Sequence, residues 1–482
     1  MPAGETYLEL SEDDGGAHKF YEVTVAGTSV TVRYGRIGTD GQVKTSAFPS
    51  ADKARAAADR KIAEKVRKGY APAVRGGRAA RAVTRRAIAS APSTARSVAP
   101  VLWRFRTGAA AFGIHIDADR CWVGNQDGDV YTVTHAGEVL SRFRLPDGVK
   151  CLVADDFWIY AGCDDGTVYD LSAKLPFAAY AISQDVDIFW LDIHEGVLNV
   201  SDRDGGLTVI DHEDEFQWSR SSDGDHGWMV RRDDRAVYHG HSKGVTAYAT
   251  DGGRVLWQRA TAGQVLFGWQ ERDAVYAGTA RRLVQRLSKA TGRVEASYVC
   301  DGAVYSCATA PGGRYVFAGD AHSSVYCFAE DGTRLWKLDT GGGSALSMQY
   351  RDEKLYIVTT DGSLACIDAS DAAVAAAREG SVPTAVDVKL SAALPTYTPA
   401  TAVATVTASA RASVVSGGGV LVECVQEGGR LRMRILTEGY DEGWNVQFPR
   451  HIREAGARYV VDGVHAASGG FYRVRGEIRR LV

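Results

Sequence analysis

The sequence predicts a mostly β protein with three folded parts: a small α+β domain, a seven-bladed β-propeller and a small β-rich C-terminal domain. Three observations support this prediction: a repeat in the middle of the chain, abundant turn-forming glycine, and a basic stretch before the repeat. The chain has 482 residues, with 53 glycines and only 12 prolines. That length suits about three domains, and frequent glycine turns between short apolar runs favour strands over helices.

The repeat occupies residues 101–370. Each unit has a short strand, a glycine or Asp-Gly turn, a second strand, another turn and an aromatic-rich strand. The second residue of the lead strand falls at 123, 159, 198, 237, 275, 316 and 356, so successive units lie 36 to 41 residues apart. This period is typical of a four-stranded propeller blade.

The seventh unit stops after Ile367 without its final Leu-Trp strand. The chain has an unassigned strand of that type, Val101–Arg106, at the start of the repeat region. We expect this strand to complete the seventh blade, because closing the ring removes an exposed sheet edge.

The N-terminal α+β domain is predicted over residues 1–70. Residues 6–34 alternate apolar and polar side chains around a glycine turn, which predicts a β-hairpin. A further strand is expected at Gln42–Phe48. Ser50 then stands where a helix cap is needed, and the helix should run to Lys68, before a glycine.

Two segments have the composition of linkers. Residues 71–100 are rich in Ala, Arg and Gly and form the expected basic linker. From Arg60 to Arg96 there are 11 Lys/Arg and one acid, a charge of +10, so the rest of the chain sums to −13. Residues 371–417 are an Ala/Thr/Ser-rich second linker, and residues 418–482 form the small β-rich domain. The charge asymmetry is typical of an arm that binds a polyanion.

The run Val32-Arg-Tyr-Gly-Arg-Ile-Gly38, the following Gly41-Gln-Val-Lys-Thr45 and the helix that ends before Tyr70 resemble the WGR domain over about residues 6–70. WGR domains occur in poly(ADP-ribose) polymerases, where they contact DNA at breaks, and in assorted bacterial proteins. The signature Trp-Gly-Arg is Tyr34-Gly35-Arg36 here. The resemblance implies that Tyr34 stacks on a terminal base or sugar and that Arg36 contacts phosphate or sugar. The alternative is that Tyr34 is a core aromatic and Arg36 a surface charge.

The expected nucleic-acid-binding residues are aromatic, glycine and basic positions of this domain and of the basic linker: Tyr34, Gly35, Arg36, Lys44, Lys65, Arg67, Lys68, Arg78, Arg81, Arg85 and Arg86. Such cations neutralise phosphates without reading sequence, so affinity should fall steeply with salt. The alternative for the linker is a solvated tether between domains.

The repeats resemble PQQ-like propeller repeats. Enzymes of that superfamily are usually exported quinoprotein dehydrogenases that use calcium and vicinal cysteines. This chain has no Cys-Cys pair, and its acidic N-terminus lacks the features of an export signal. The resemblance therefore implies a scaffold rather than a cofactor-dependent enzyme.

Other chemistry finds little support. The sequence lacks a Gly-x-x-x-x-Gly-Lys-Ser/Thr loop and a Gly-x-Ser-x-Gly nucleophile elbow. His239-Gly-His241 is interpreted as a surface pair at the end of a blade strand, and the repeated Asp-Gly pairs as hairpin turns rather than calcium loops. We therefore expect no catalysis, cofactor or metal.

Eight scattered cysteines without a Cys-x-x-Cys pair indicate reduced, structural thiols and a cytoplasmic location. No apolar run approaches membrane-spanning length, so a membrane partner is not expected. The predicted function is a non-enzymatic bacterial scaffold that binds nucleic acid, with DNA favoured over RNA and the choice between them left open, through the WGR-like domain and basic arm, and an unidentified protein through the propeller. The alternative is a purely protein–protein adaptor in a multicomponent regulatory or defence system.

Overall fold

The computed structural model describes residues 5–10, 19–36, 42–68, 70–72, 88, 90–155, 158–172, 175–182, 187–211, 216–381, 386–388, 394–398, 419–427, 430–441, 443–448, 452–467 and 471–481. The chain divides into two compact units, Met1–Thr84 and Arg85–Val482. Strands dominate the secondary structure of both units.

The first unit is a five-stranded antiparallel sheet with one helix. Its strand order is β4-β3-β2-β1-β5. The elements are β1 (Glu5–Leu10), β2 (Lys19–Ala26), β3 (Ser29–Arg36), β4 (Gln42–Ala47), α1 (Ala51–Arg67) and β5 (Ala71–Pro72). Gly27, with φ +57°, lies in the two-residue turn between β2 and β3, where a left-handed residue matches the strand twist.

The helix forms where its cap and apolar face predict it. The Ser50 hydroxyl accepts a hydrogen bond from the Lys53 backbone N–H at 3.3 Å, which satisfies one orphan donor of the first turn. Ala54 and Ala58 are buried against Val30 and Val32 of the sheet. Small side chains at these positions let the helix approach the strands closely.

Seven four-stranded antiparallel blades follow in the second unit, as the repeat predicts. The first strands of neighbouring blades pack against one another around the ring. From the innermost strand outward, the blades are β7 (Ala111–Ile116), β8 (Arg120–Asn125), β9 (Asp129–Thr134) and β10 (Val139–Arg144); β11 (Val149–Asp155), β12 (Trp158–Cys163), β13 (Thr167–Asp170) and β14 (Phe177–Ala181); β15 (Ile188–His194), β16 (Val197–Asp202), β17 (Gly206–Ile210) and β18 (Phe216–Ser221); β19 (Met229–Arg232), β20 (Ala236–His241), β21 (Gly244–Ala249) and β22 (Val255–Arg259); β23 (Val265–Gln270), β24 (Ala274–Thr279), β25 (Leu283–Ser288) and β26 (Val294–Val299); β27 (Val304–Thr309), β28 (Tyr315–Asp320), β29 (Ser324–Ala329) and β30 (Arg334–Asp339); and β31 (Ala345–Arg351), β32 (Lys354–Thr359), β33 (Ser363–Asp368) and β6 (Val101–Arg106).

The ring closes through the strand that precedes blade one. β6 pairs antiparallel with β33, with Trp103 opposite Cys366 and Phe105 opposite Leu364. Trp103 and Phe105 are both buried in this blade. The predicted closure is thus confirmed, and the last blade is held by the two ends of the repeat region.

Aromatic side chains of outer strands join consecutive blades. In four blades, an indole N–H or phenol O–H donates to a backbone carbonyl of the next blade, 32 residues further along the chain. These pairs are Trp103 to His135 (2.9 Å), Trp218 to Thr250 (2.9 Å), Trp257 to Lys289 (2.8 Å) and Tyr298 to Glu330 (3.0 Å). In these four blades, the aromatic residue of the outermost strand therefore links one blade to the next.

The segments on either side of the repeat also contact the propeller. On the N-terminal side, Ser97 accepts a backbone hydrogen bond from Asp339 at 2.9 Å. On the C-terminal side, α2 (Asp371–Arg378) is followed by two short strands, β34 (Val386–Val388) and β35 (Thr396–Tyr397). These pair in parallel with β6 and β10, the outermost strands of blades seven and one. A short 3-10 helix, Pro311–Gly313, lies between β27 and β28.

A five-stranded sheet ends the chain. Its order is β37-β36-β39-β40-β38, and the strands are β36 (Val420–Glu427), β37 (Arg430–Ile435), β38 (Val446–Gln447), β39 (Arg458–Ala467) and β40 (Phe471–Leu481). Phe471 joins the apolar core shared by the middle blades of the propeller. The buried guanidinium of Arg473 pairs with Asp155 at the end of β11, which in turn accepts a hydrogen bond from the Gly196 N–H at 2.5 Å. The sheet is therefore docked on blades two and three.

Candidate nucleic-acid interface

Tyr34 lies near the end of β3, on the side of the sheet that α1 covers. Val30 and Val32 precede it on that side and are buried beneath the helix, because alternate residues of a strand share a face. Tyr34 itself is 39% exposed. It is therefore not a core aromatic, and its ring can be reached by a ligand.

Tyr34 belongs to a small group of aromatic rings. Tyr21, directly opposite it on β2, has its ring centroid 6.2 Å away. Tyr70 packs edge-on to Tyr21 at 6.3 Å. Burial raises the pKa of the Tyr21 phenol, so this side chain is uncharged. Its buried ring supports the exposed ring of Tyr34 from one side. We call Tyr21, Tyr34 and Tyr70, together with Lys65, the aromatic–lysine patch.

Lys65 brings positive charge to these rings from the last turns of α1. Its ammonium lies 4.6 Å from the Tyr21 ring centroid and 5.2 Å from that of Tyr70. Both distances suit cation–π attraction, worth about 0.5–1 kcal/mol at partly exposed sites. The lysine is thereby held over the Tyr21 ring, which packs against the exposed Tyr34.

Lys44 lies on the same face. On β4 it is opposite Val32, two pairs along from the Tyr34–Gln42 pair, and directly opposed residues of antiparallel strands point to one side of the sheet. Lys44 is exposed. The edge strand therefore adds a second cation next to Tyr34.

Two other predicted cations lie at the end of α1. Lys68 is exposed but paired with Glu64, four residues before it, at 2.6 Å; this hydrogen bond lowers the pKa of the Glu64 carboxyl. Arg67 is exposed and makes no ion pair within the described residues. Of the two, Arg67 has the charge that is available to a phosphate.

The remaining predicted residues are less defined. The backbones of Gly35 and Arg36 pair with Phe20 and Lys19 at the end of the β2–β3 hairpin. Four arginines of the basic arm lie outside the described residues: Arg78, Arg81, Arg85 and Arg86. Their role stays a prediction.

Tyr21 and Tyr70 were not predicted as part of this site. A signal for Tyr21 existed in the sequence: a two-residue turn at Gly27-Thr28 fixes the hairpin register and places Tyr21 opposite Tyr34. Arg33, although adjacent to Tyr34 in sequence, belongs to the other face, where its guanidinium bonds Glu22 at 2.6 Å.

The interpretation of His239 and His241 as a surface pair is wrong. Both are fully buried in β20, because all six residues of this strand lie between neighbouring blades. Burial lowers the pKa of His239 to about 3, and the His241 Nε2 lies 3.0 Å from the Thr246 hydroxyl. Within the described ranges, the group that could hold a metal ion by geometry is instead His194, Glu195 and Asp234, in partly exposed turns; exposed acidic groups of this kind are common without an ion.

The fold defines a modular protein that joins a small α+β domain to a β-propeller. Residues 4–77 match the WGR domain family. Residues 280–446 match a PQQ-like repeat family described as outer membrane protein assembly factor BamB. The chain thus joins an N-terminal WGR domain to a PQQ-like β-propeller, as the residue patterns predict.

Among solved structures, a WD40 β-propeller domain supports the propeller fold. The WD40 β-propeller domain of Doa1 superposes with a TM-score of 0.50 at 12% sequence identity, over 57% of this chain and 98% of that one. The computationally designed Ika8 protein matches with a TM-score of 0.45 at 14% identity, over 56% of this chain and 99% of that one. At these identities the likeness concerns the fold alone. No curated protein matches the sequence, and no described helix has the length and hydropathy to span a bilayer.

Proposed function

We propose that this protein is a non-enzymatic scaffold that binds DNA through its WGR domain and basic arm and binds a protein partner through its propeller. The observation that carries the proposal is the exposed Tyr34 ring, with Lys44 on the same face of the sheet and Lys65 over the adjoining Tyr21 ring. A stacking surface beside cations is the combination that nucleic-acid ends and single strands require. The family resemblance points the same way.

The setting we propose is the cytoplasm. All eight cysteines are buried and none is paired with another, which fits a reducing compartment. The partner of the propeller is unidentified, and its assignment rests on the fold, since propellers offer broad binding surfaces. Neither domain type is usually catalytic, and the proposal includes no reaction.

Binding is measured by fluorescence anisotropy of the full chain with a blunt-ended DNA duplex and with the same duplex closed by hairpins at both ends. Replacing Tyr34 by Ala should weaken binding to the open duplex by about 1–3 kcal/mol, because one stacked base is lost. Tyr34→Phe keeps the ring and should bind nearly as well as the wild type. Equal loss on open and closed duplexes would argue against end recognition.

The cationic contribution is measured as the salt dependence of the same binding. Changing Lys44, Lys65 and Arg67 together to Gln should flatten the log–log salt slope by roughly 0.9 for each phosphate that is no longer neutralised. The matched control is Arg254→Gln with Arg293→Gln, two exposed arginines of propeller turns, which should leave the slope unchanged. Changing the four predicted arm arginines to Ala should flatten it by as much as roughly 3.6.

If the unmodified chain shows no salt-sensitive binding to duplex or single-stranded DNA or RNA, the proposal is contradicted. The WGR domain would then be a protein-docking module, and the adaptor function would take its place. Circular dichroism of each variant separates loss of binding from loss of fold.

A further inference from the structure

The propeller contains a polar cavity that the proposed function does not use. It has a volume of about 260 Å³ and is lined by the inner strands of blades one, two, three, four, five and seven. The lining residues fall toward the C-terminal ends of these strands, so the cavity lies at one end of the central channel. Its walls combine apolar side chains with arginine, histidine, glutamine and tryptophan.

Part of the polar lining comes from one ring of equivalent positions, and Arg351 lies outside this ring. The strand pairings define these positions. In blade one, Gly113 of the inner strand pairs with Gly124 of the second strand, and His115, two residues after Gly113, is the ring position; the other blades are aligned in the same way. The ring consists of His115, Val153, Asp192, Arg231, Trp269, Ala308 and Gln349. Val153 and Ala308 show that a small or apolar residue can occupy this position. Gln349 and Trp269 use their polar atoms to bond the neighbouring blade.

Arg231 dominates one side of the cavity. Its guanidinium lies 5.9 Å from the Trp190 ring centroid and 5.4 Å from that of Trp269. Its Nε and Nη2 donate to the Gly268 carbonyl at 3.1 and 2.9 Å, and its Nη1 donates to Asp192 at 3.3 Å. A guanidinium has five N–H groups, so one on each terminal nitrogen has no acceptor within the described part of the chain.

Arg351 adds a second guanidinium to the lining. Its Nε lies 3.2 Å from a carboxylate oxygen of Asp352. The His115 ring makes no hydrogen bond to a described residue, and burial lowers its pKa to about 4, so it is neutral at physiological pH.

The carboxylate of the lining, Asp192, already accepts hydrogen bonds through both of its oxygens. Asp192 accepts from the Arg231 guanidinium through one oxygen and from the Arg232 backbone N–H, at 2.7 Å, through the other. Buried donors without acceptors are costly, and a ligand that satisfies several of them must bring acceptor oxygens. A carboxylate supplies two in one plane and forms charge-assisted bonds to arginine. The Trp190 and Trp269 rings suit a planar or apolar body behind that group.

We propose that this cavity is a binding site for an organic carboxylate, held by the guanidinium groups of Arg231 and Arg351, with the Trp190 and Trp269 rings beside its body. The carboxylate can belong to a free small acid or to an acidic side chain or C-terminus of a partner polypeptide. The site is independent of the WGR domain.

The probe for this site is 4-fluorobenzoate, observed by ¹⁹F NMR with the full chain, and its neutral isostere 4-fluorobenzamide. We expect saturable binding of the benzoate at least about tenfold tighter than that of the benzamide, because only the anion forms charge-assisted bonds. Trp190→Phe should weaken benzoate binding about threefold, because part of the aromatic surface beside the ligand is lost. Arg351→Gln should weaken it at least as much and reduce the preference over benzamide.

The matched control is Trp336→Phe. Trp336 is also a buried tryptophan whose Nε1 lacks a partner among the described residues, but it lies in β30, outside the cavity, so its replacement should leave benzoate binding unchanged. Equal binding of benzoate and benzamide, no saturable binding of either, or unaltered binding by a folded Trp190→Phe variant would overturn the proposal.

Competition identifies the source of the carboxylate. The peptide acetyl-Gly-Phe-Glu-Gly-amide is compared with its Gln counterpart and with free glutarate. Displacement of the probe by the Glu peptide at lower concentration than by glutarate assigns the site to a polypeptide, and the reverse order assigns it to a free acid. DNA binding of the cavity variants is measured in parallel. Carboxylate binding can be absent while DNA binding persists, and DNA binding can be absent while carboxylate binding persists, so the two proposals are tested separately.

Discussion

Tyr34 of the WGR domain and Trp257 of the propeller are both aromatic residues near the end of a β-strand, yet they do different work. Trp257 donates its indole N–H to Lys289 of the next blade at 2.8 Å. Tyr34 contacts one neighbouring ring and is 39% exposed. The propeller uses several of its aromatic residues to join repeats, whereas the WGR domain leaves one aromatic ring exposed, which we propose stacks on nucleic acid. A substitution should therefore affect stability in one region and binding in the other.

The largest expected effect on stability comes from the closing strand. Trp103→Ala removes a buried ring and its hydrogen bond to His135, and should lower the free energy of unfolding of the propeller by about 3–5 kcal/mol. Thermal unfolding followed by circular dichroism measures the change. Tyr34→Ala should cost no more than about 1 kcal/mol in the same assay, and a similar loss for both variants would break the comparison.

Acid should weaken the propeller through His239. Its pKa in the folded chain is about 3, below the ordinary value of about 6.5, so the unfolded chain binds the extra proton first. This contribution to stability is complete above about pH 6.5 and is lost as the pH falls toward 3. From pH 6.5 to 4.5 the loss should reach about 2 kcal/mol. Denaturant unfolding at several pH values measures it, and His239→Leu should show a flatter profile.

The smallest effects separate two tryptophans within the propeller. Trp257→Phe deletes a hydrogen bond between blades four and five and should cost about 1 kcal/mol. Trp336→Phe deletes an N–H that has no acceptor among the described residues, so it should be neutral or slightly stabilising. Paired denaturant titrations measure the difference. Equal destabilisation by both would show that ring area, rather than the hydrogen bond, joins the blades.

The aromatic–lysine patch was half predictable. The motif around Tyr34-Gly35-Arg36 identifies the domain, and the turn at Gly27 fixes which residue faces Tyr34. Its exposure was not predictable, because Val30, Val32 and Tyr34 follow the same alternation and only the position of α1 decides which of them is covered. The burial of His239 and His241 was mispredicted for the related reason that neighbouring blades cover both faces of a blade.

The sequence alone determined the number of blades, the closing strand and the helix cap, since each follows from a local pattern: a period, a missing strand, or a serine before an apolar face. Only the tertiary structure decided which strands and side chains contact one another when they are far apart in the sequence. β34 and β35 join blade edges through backbone hydrogen bonds that have no side-chain signature. Trp190, Arg231 and Arg351 are distant in sequence and line one cavity only because the closed ring brings the inner strands of different blades around a common axis.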